Sequence, residues 1–488
     1  VRLASPSGLV VQVNANGSVR RVDCRDVMLN AFLGNELEGG PANLFLRRRG
    51  ERPAWVPLLG PRSPGAVRLD AGGLEVHGEW SGVGFWVSLR LAAEAAAWFW
   101  HVRLENTGAA PVTLDLLHAQ DVALADYGAI RLNEYYVSQY VDHTPLAHPA
   151  RGVVLALRQN LAIGGRHPWV AIGTLGRGTS FATDALSFWG LAARAGGAPV
   201  ALEAERLPGE RLQHEHSLAV IQDEAVRLAP GERAARGFFG WLELDHPAAS
   251  APADLAVVER ALALPEARPP AAGREPAGAS VPARTLFSAR PQLEARELDE
   301  AELGALFGAE RRAPERDGAR LLSFFCGASA HVVLRAKELA SLKPHGLILR
   351  TGEGLVPDEA SLTSTVWMGG VFHSMTTQGH VSINRLLSTT HGYLGLFRSH
   401  GQRVFVEQAD GWALLDTPSA FEMTPSGARW IYRHAEGLLQ VRSWAPVDRH
   451  ELWLAADVLE GPPRRFLISN HLAVNGDDGA EAVPARIA

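Results

Sequence analysis

Two short stretches early in the chain alternate side chains at a period of two, and that period restricts the first half to sheet. Residues 85–91 read FWVSLRL and residues 98–104 read WFWHVRL. In the second stretch Trp98, Trp100, Val102 and Leu104 share one face, while Phe99, His101 and Arg103 share the other. A turn signal at Asn106-Thr107-Gly108 precedes a return strand over 112–117, so the pair reads as a hairpin. Further strands are expected at 152–157, 169–174, 217–222 and 238–244. Helical periodicity is poor throughout this half, and a many-stranded β-sandwich is the fold that fits.

The pattern changes after Pro247. Residues 254–264 set Leu255, Val258 and Leu262 on one helical face and stop at Pro265. Residues 265–291 are rich in Pro, Ala, Gly and Arg and read as a linker. A short helix is expected over 297–307. After Arg320 the β pattern resumes at 321–325, 331–335, 347–350, 404–408, 412–415, 429–434, 438–444, 452–459 and 466–472. The expected organisation is mainly β: a first sandwich over 1–246, helical segments and linker over 247–319, and a second sandwich over 320–488. Residues 101–124 and 454–475 resemble each other as strand, turn and return strand, with His118 and His471 in matching places. That likeness suggests a duplicated unit whose second copy stops short. A start at Val1 without Met points the same way, to a piece cut at both ends.

Composition excludes several partner classes. At 488 residues the chain is expected to hold about two to four domains. The net charge of −6 is small and mixed in sign, with no clustered cationic excess for a phosphate backbone, so nucleic acid is not an expected partner. Cys24 and Cys326 stand far apart and form neither a metal-spaced cluster nor a disulfide framework, which suits a reducing, cytoplasmic setting. No apolar run reaches the ~18–20 residues that span a bilayer, so no membrane segment is expected here. Phosphate-loop, GxSxG and HExxH motifs are absent. Asn475-Gly476-Asp477-Asp478-Gly479 lacks the ligand spacing of a calcium loop and reads as a solvated turn.

Two clusters carry the chemistry. Residues 367–393, WMGGVFHSMTTQGHVSINRLLSTTHGY, combine aromatics, histidines, amides and hydroxyls with little charge. Flat rings beside neutral hydrogen-bonding groups suit a sugar, which has apolar C–H faces and a rim of hydroxyls. The same residues would also serve as a buried polar network locking two strands together. Residues 133–143, NEYYVSQYVDH, hold three of the six tyrosines, as a sugar platform or a domain contact. Glycoside hydrolysis needs two carboxylates. Glu134 with Asp142, or Glu407 with Asp410, could be nominated, and nothing in the sequence separates them from surface residues. His101, His118, His167, His214 and His216 could serve a mutarotase-like acid–base step or be satisfied strand residues.

Residues 365–389, 133–146 and 165–190 resemble the N-terminal part of the 1,2-β-oligoglucan phosphorylases of glycoside hydrolase family 94, relatives of cellobiose and chitobiose phosphorylases and of cyclic β-1,2-glucan synthases. The resemblance covers nearly the whole chain. It implies galactose-mutarotase-like supersandwich domains, a helical linker, and then an (α/α)6 barrel that holds the general-acid Asp. It also implies inverting phosphorolysis of a β-1,2-gluco-oligosaccharide to α-glucose 1-phosphate. Inorganic phosphate would be the co-substrate, no cofactor is implied, and a homodimer is usual. The sequence departs from the family in lacking the barrel motif, so the catalytic residues stay unassigned and the chain alone is expected to be inactive. The residues expected to reach saccharide are Trp367, Phe372, His373, Gln378, His380, Asn384, Tyr136, Gln139 and His143. Competing readings are a stand-alone carbohydrate-binding or assembly module and a mutarotase-like sandwich enzyme.

Overall fold

The computed structural model describes residues 1–212, 216–270, 278–289, 291–352, 358–379, 385–389 and 394–473. The chain divides into two compact units, one of Val1–Gly190 with Ala198–Ser288 and the other of Leu191–Gly197 with Ala289–Ala488. Both are built of layered β-sheet, as the period-two stretches require.

In the first unit a four-stranded antiparallel sheet (Arg2–Ala4, Leu9–Val13, Val19–Cys24, Val27–Met28) accompanies a fourteen-stranded one. From one edge the large sheet runs Ala54–Pro57, Asn43–Arg48, Val112–Asp121, Ser217–Asp223, Gly178–Asp184, Gly152–Gln159, Trp169–Thr174, Arg233–Glu243, Ala97–Asn106, Val83–Leu91, Gly73–Trp80 and Ala66–Asp70. Val141–His148 and Val226–Leu228 pair off this path. Trp98, Trp100, Val102 and Leu104 enter the main core as their alternation predicts. The opposite face is buried too. Phe99 lies with Trp169, Phe239 and Trp241 beneath Val257, Val258 and Ala261 of the helix Ala256–Ala263. Burying each such large apolar side chain contributes roughly 1.5–3 kcal/mol. Gly240 faces Trp98 across the ladder, and a Cβ there would stand 2.0 Å from the indole, so the strand carries glycine where a ring lies on its backbone.

The expected hairpin at Asn106-Thr107-Gly108 does not form. Ala97–Asn106 pairs with Val83–Leu91 and Arg233–Glu243, whereas Val112–Asp121 pairs with Asn43–Arg48, Ser217–Asp223 and Val226–Leu228. Both strands send alternate residues into one core, Trp98 to Leu104 from the first and Leu114 and Leu116 from the second. The connection is therefore an arch between sandwich layers. Asn106 supports it by donating to the Ala110 and Leu228 carbonyls at 2.9 and 3.0 Å. The second unit repeats this: Trp453–Glu460 pairs with Gly437–Trp444, but Phe466–Asn470 pairs with Gln402–Gln408 in the other sheet.

A helix, Tyr127–Gln139, also interrupts the expected all-β half. Asp126 caps it by accepting from Ala129 N at 2.9 Å. Asn133 breaks it at φ −164°, ψ 88°, and caps the restart by accepting from Tyr136 N at 3.0 Å. Two half-helices out of phase leave no sustained 3.6-residue repeat to read.

The second unit has a seven-stranded and a six-stranded antiparallel sheet around Phe372, Val404, Val406, Phe421, Trp430 and Tyr432. Glu300–Phe307, with an Asp299/Glu302 capping box, lays Leu303 and Phe307 over Phe324 and Ile431 on the outer face. Leu191–Gly197 belongs to this unit. Its buried Arg194 donates to the Glu338, Ser341 and Leu342 carbonyls at 2.6 Å each, closing the C-terminal end of the helix Arg335–Ala340. Cys24 and Cys326 are both free and buried. Among the described residues no helix is long and apolar enough to cross a membrane.

Candidate functional site

The strands Leu362–Trp367 and Val371–Gln378 form a bulged hairpin that carries most of the first cluster. Met375, at φ 45°, sits at the register break and turns its neighbours off the regular alternation. His373 is 4% exposed and lies between two hydroxyls, Nδ1 at 2.9 Å from Ser364 Oγ and Nε2 at 2.8 Å from Ser443 Oγ. A neutral imidazole has one donor and one acceptor nitrogen, and two hydroxyls complement both. Burial holds its pKa down at about 4, so it stays neutral. Thr376 donates to Ser364 at 3.1 Å, and Thr363 and Thr377 hydroxyls meet at 2.7 Å. This is the strand-locking network, and His373 is spent within it.

Phe372 is fully buried, its ring 4.9 Å from Trp430 at 62°, and it presents no face to a ligand. Trp367 is partly buried, and its carbonyl accepts from Trp430 Nε1 at 3.0 Å. Gln378 is exposed at the far end of the hairpin, opposite Leu362, roughly 16 Å of strand from Trp367. His380 and Asn384 lie outside the described residues, as do His214 and the turn 475–479.

In the first unit the structure brings Tyr136 and Tyr140 together on the outside. They are 48% and 38% exposed, their rings 5.0 Å apart at 64°, with Tyr140 Oη donating to Tyr136 Oη at 3.2 Å. Gln139 is exposed beside them. His143 points inward, 3% exposed, with Nε2 2.8 Å from Ser217 Oγ, and burial lowers its pKa to about 3. His216 next along that strand is equally buried against Phe32, ring centroids 4.6 Å apart, and burial likewise puts it at about 3. These buried, neutral histidines cannot trade protons with solvent or substrate near pH 7.

The other nominees are engaged as well. His101 Nε2 lies 2.8 Å from the Glu266 carbonyl, and His118 packs on Phe238 with its pKa lowered by burial to about 3. His167 Nδ1 lies 3.0 Å from the Gln159 carbonyl. Arg211 pairs with Asp142, and Arg465 with Glu407. Glu134 is buried, and Asp410 is exposed in a turn.

Sequence reasoning missed a buried polar group behind the large sheet of the first unit. Arg47 holds Asp115 through Nε–Oδ1 at 2.9 Å and Nη2–Oδ2 at 2.8 Å, and Gln222 Nε2 donates to the same carboxylate at 2.8 Å. The segment after the helix Ala185–Trp189 covers them, with the Ala201, Ala204 and Glu205 carbonyls accepting from Arg47. Asp115 within LDLL is the readable signal, an acid flanked by leucines in a strand. This face is filled by the chain's own groups. Among the described residues no group of three or more His, Cys, Asp or Glu could hold a metal ion.

Comparison with known proteins agrees with this division. Residues 12–240 match the SOGP N-terminal domain, and residues 309–485 match the glycoside phosphorylase supersandwich domain. The chain is 26% identical over 474 residues to a 1,2-beta-oligoglucan phosphorylase of Listeria innocua, covering 97% of this chain and 42% of that protein. It therefore spans less than half the length of the curated relative it matches. Among solved structures, a polysaccharide lyase aligns over 93% of this chain and 47% of its own at 8% identity and a TM-score of 0.31. A bacterial glucoamylase complexed with acarbose aligns over 53% of this chain and 33% of its own at 7% identity and a TM-score of 0.34. The chain thus carries a SOGP N-terminal domain followed by a glycoside phosphorylase supersandwich domain, and it resembles the N-terminal region of a 1,2-beta-oligoglucan phosphorylase.

Proposed function

We propose that this chain is the non-catalytic N-terminal part of an inverting glycoside phosphorylase of family 94. The whole enzyme would cleave β-1,2-gluco-oligosaccharides with inorganic phosphate and release α-glucose 1-phosphate. The observation that carries this reading is the succession of the SOGP N-terminal and glycoside phosphorylase supersandwich domain models along one chain, 97% of which aligns with 42% of the Listeria protein. The disposition of acid–base groups supports the non-catalytic part: among the described residues the nominated histidines are buried and neutral or hydrogen-bonded, and Glu407 and Asp142 are ion-paired. On this reading the proton donor lies in a barrel domain that the matched portion of the relative does not include. The exposed Tyr136, Gln139 and Tyr140 of the first unit would meet saccharide, and so, separately, would Trp367 and Gln378 of the second unit. A cytoplasmic homodimer completes the proposal.

The test is phosphorolysis. The protein is incubated with sophorotriose and inorganic phosphate, and glucose 1-phosphate is measured, with saccharide binding followed in parallel by NMR. Binding without glucose 1-phosphate release supports the proposal. Release of glucose 1-phosphate by these residues alone overturns it.

A further inference from the structure

Strands Gly437–Trp444 and Trp453–Glu460 form one end of the seven-stranded sheet in the second unit. Of their inward residues, Leu439 and Val441 belong to the core, and Leu454, Ala456 and Val458 are partly buried and pack against it. Their outward residues are Gln440, Arg442 and Trp444 on the first strand and Trp453, Ala455 and Asp457 on the second. The helix Glu300–Phe307 roofs the neighbouring part of this face and ends its cover at Arg429, which donates to the Leu306 carbonyl at 3.2 Å. Beyond Arg429 the face is open.

Trp444 and Trp453 face each other across the ladder, ring centroids 5.8 Å apart and planes within 18°. Trp453 is 44% exposed, although an indole of this area ordinarily gains more from burial. Its orientation is fixed at the edge, because Nε1 donates to Glu451 Oε2 at 2.9 Å. That bond uses the ring's one donor; one face of the ring stacks toward Trp444, and nearly half of the side chain stays exposed. Polar groups stand alongside: Asp457 takes Arg442 Nε at 3.2 Å and Gln440 Nε2 at 3.1 Å, and the Arg442 guanidinium lies 5.7 Å from the Trp444 ring centre. The surrounding segment 448–460 carries Asp448, Glu451, Asp457 and Glu460 against one arginine, Arg449. Asp457, Asp448 and Glu460 are ion-paired with Arg442, Arg449 and Arg433, so the rim is close to neutral and suits an uncharged polyol better than a polyanion.

We infer that the Trp444–Trp453 pair is a saccharide platform, on which the C–H face of a neutral β-linked glucopyranose stacks against Trp453 while Arg442, Asp457 and Glu451 meet its hydroxyls. This site is separate from the tyrosine and hairpin residues nominated above, and the choice of a glucan rests on the proposed function. Its role is to hold a chain, and no bond is made or broken there. A cross-strand tryptophan pair serving the sheet alone would not need a locked and open outer ring.

The test is native affinity electrophoresis of the protein in gels with linear β-1,2-glucan, and in parallel gels with polygalacturonate. The expected result is retardation by the neutral glucan, none by the polyanion, and a loss of about threefold to tenfold in apparent affinity for Trp453→Ala, the scale of one aromatic stacking contact. Trp453→Phe, which keeps a ring in the sheet, should fall between, with an unchanged circular dichroism spectrum. Retardation that Trp453→Ala keeps and Tyr136→Ala loses overturns this inference and leaves the proposed function standing. Equal retardation by polygalacturonate also overturns it, as does a Trp453→Ala effect confined to self-association. No retardation of the unaltered protein overturns both.

Discussion

Arg47 grips Asp115 at two points, with both side chains essentially out of solvent at 1% and 0% exposure. Neither could be buried alone. A lone guanidinium or carboxylate in that setting carries a desolvation penalty of several kcal/mol.

Arg47→Ala should accordingly destabilise the first unit by about 3 kcal/mol, since it leaves the buried carboxylate with Gln222 and the more distant Arg49, 3.7 Å away, as its remaining partners. Replacing Arg47 and Asp115 together with Met and Leu should recover most of that loss. Urea unfolding of the single and double variants at pH 7 checks both. A single variant as stable as the parent would contradict the ion pair.

Buried histidines make the fold acid-sensitive. His118, His143 and His216 are lowered to about 3 by burial, against about 6.5 in an unfolded chain. A lowered histidine contributes stability that is full above the unfolded value and is lost as pH falls from there toward about 3. Asp121 and Asp223 act in the opposite sense. Burial raises them to about 6 and about 8, so their contribution is full below the unfolded carboxylate value and is lost as pH rises to those values. Removing one histidine should expose its share. His118→Leu, in an apolar pocket with Nδ1 unpartnered, should raise the urea midpoint more at pH 5 than at pH 7.

His373→Ala should cost about 2–4 kcal/mol, because a cavity opens and the Ser364 and Ser443 hydroxyls each lose their ring partner. Saccharide affinity of the folded variant should be unchanged. Thermal unfolding paired with a binding titration separates this from a ligand-contact role, which would reverse the pattern.

Tyr136→Ala should do the converse. The ring is nearly half exposed, so the melting temperature should stay within about 2 °C of the parent. Sophorotriose affinity should fall about threefold or more, as for the loss of one stacking face. Isothermal titration gives the answer, and unchanged affinity removes Tyr136 from the proposed cleft.

Gly240→Ala should be severe despite its size. The added Cβ would sit 2.0 Å from the Trp98 indole, and overpacking of this kind costs about 1–3 kcal/mol. Trp98→Leu in the same chain should relieve part of it, and the urea midpoints of the pair give the coupling.

The local order of this protein was legible in its residues, because a strand's period of two fixes which side chains share a face wherever one face is buried. That is why Trp98, Trp100, Val102 and Leu104 face the core as read; the strand expected at 169–174 is found there, and the one expected at 238–244 begins five residues earlier, at Arg233–Glu243. The family resemblance was legible for a similar reason, through short polar–aromatic segments that keep their spacing. Alternation carries no information about which strand lies alongside, so the turn at 106–108 read as a hairpin and folded as an arch. The helix at 127–139 was hidden by its break at Asn133. Function-like composition was equally ambiguous: His373, Phe372 and His143 have the chemistry of a sugar site, and packing turned them inward. Burial and partner choice arise from contacts between residues far apart in the chain, and those are settled when the layers close on each other.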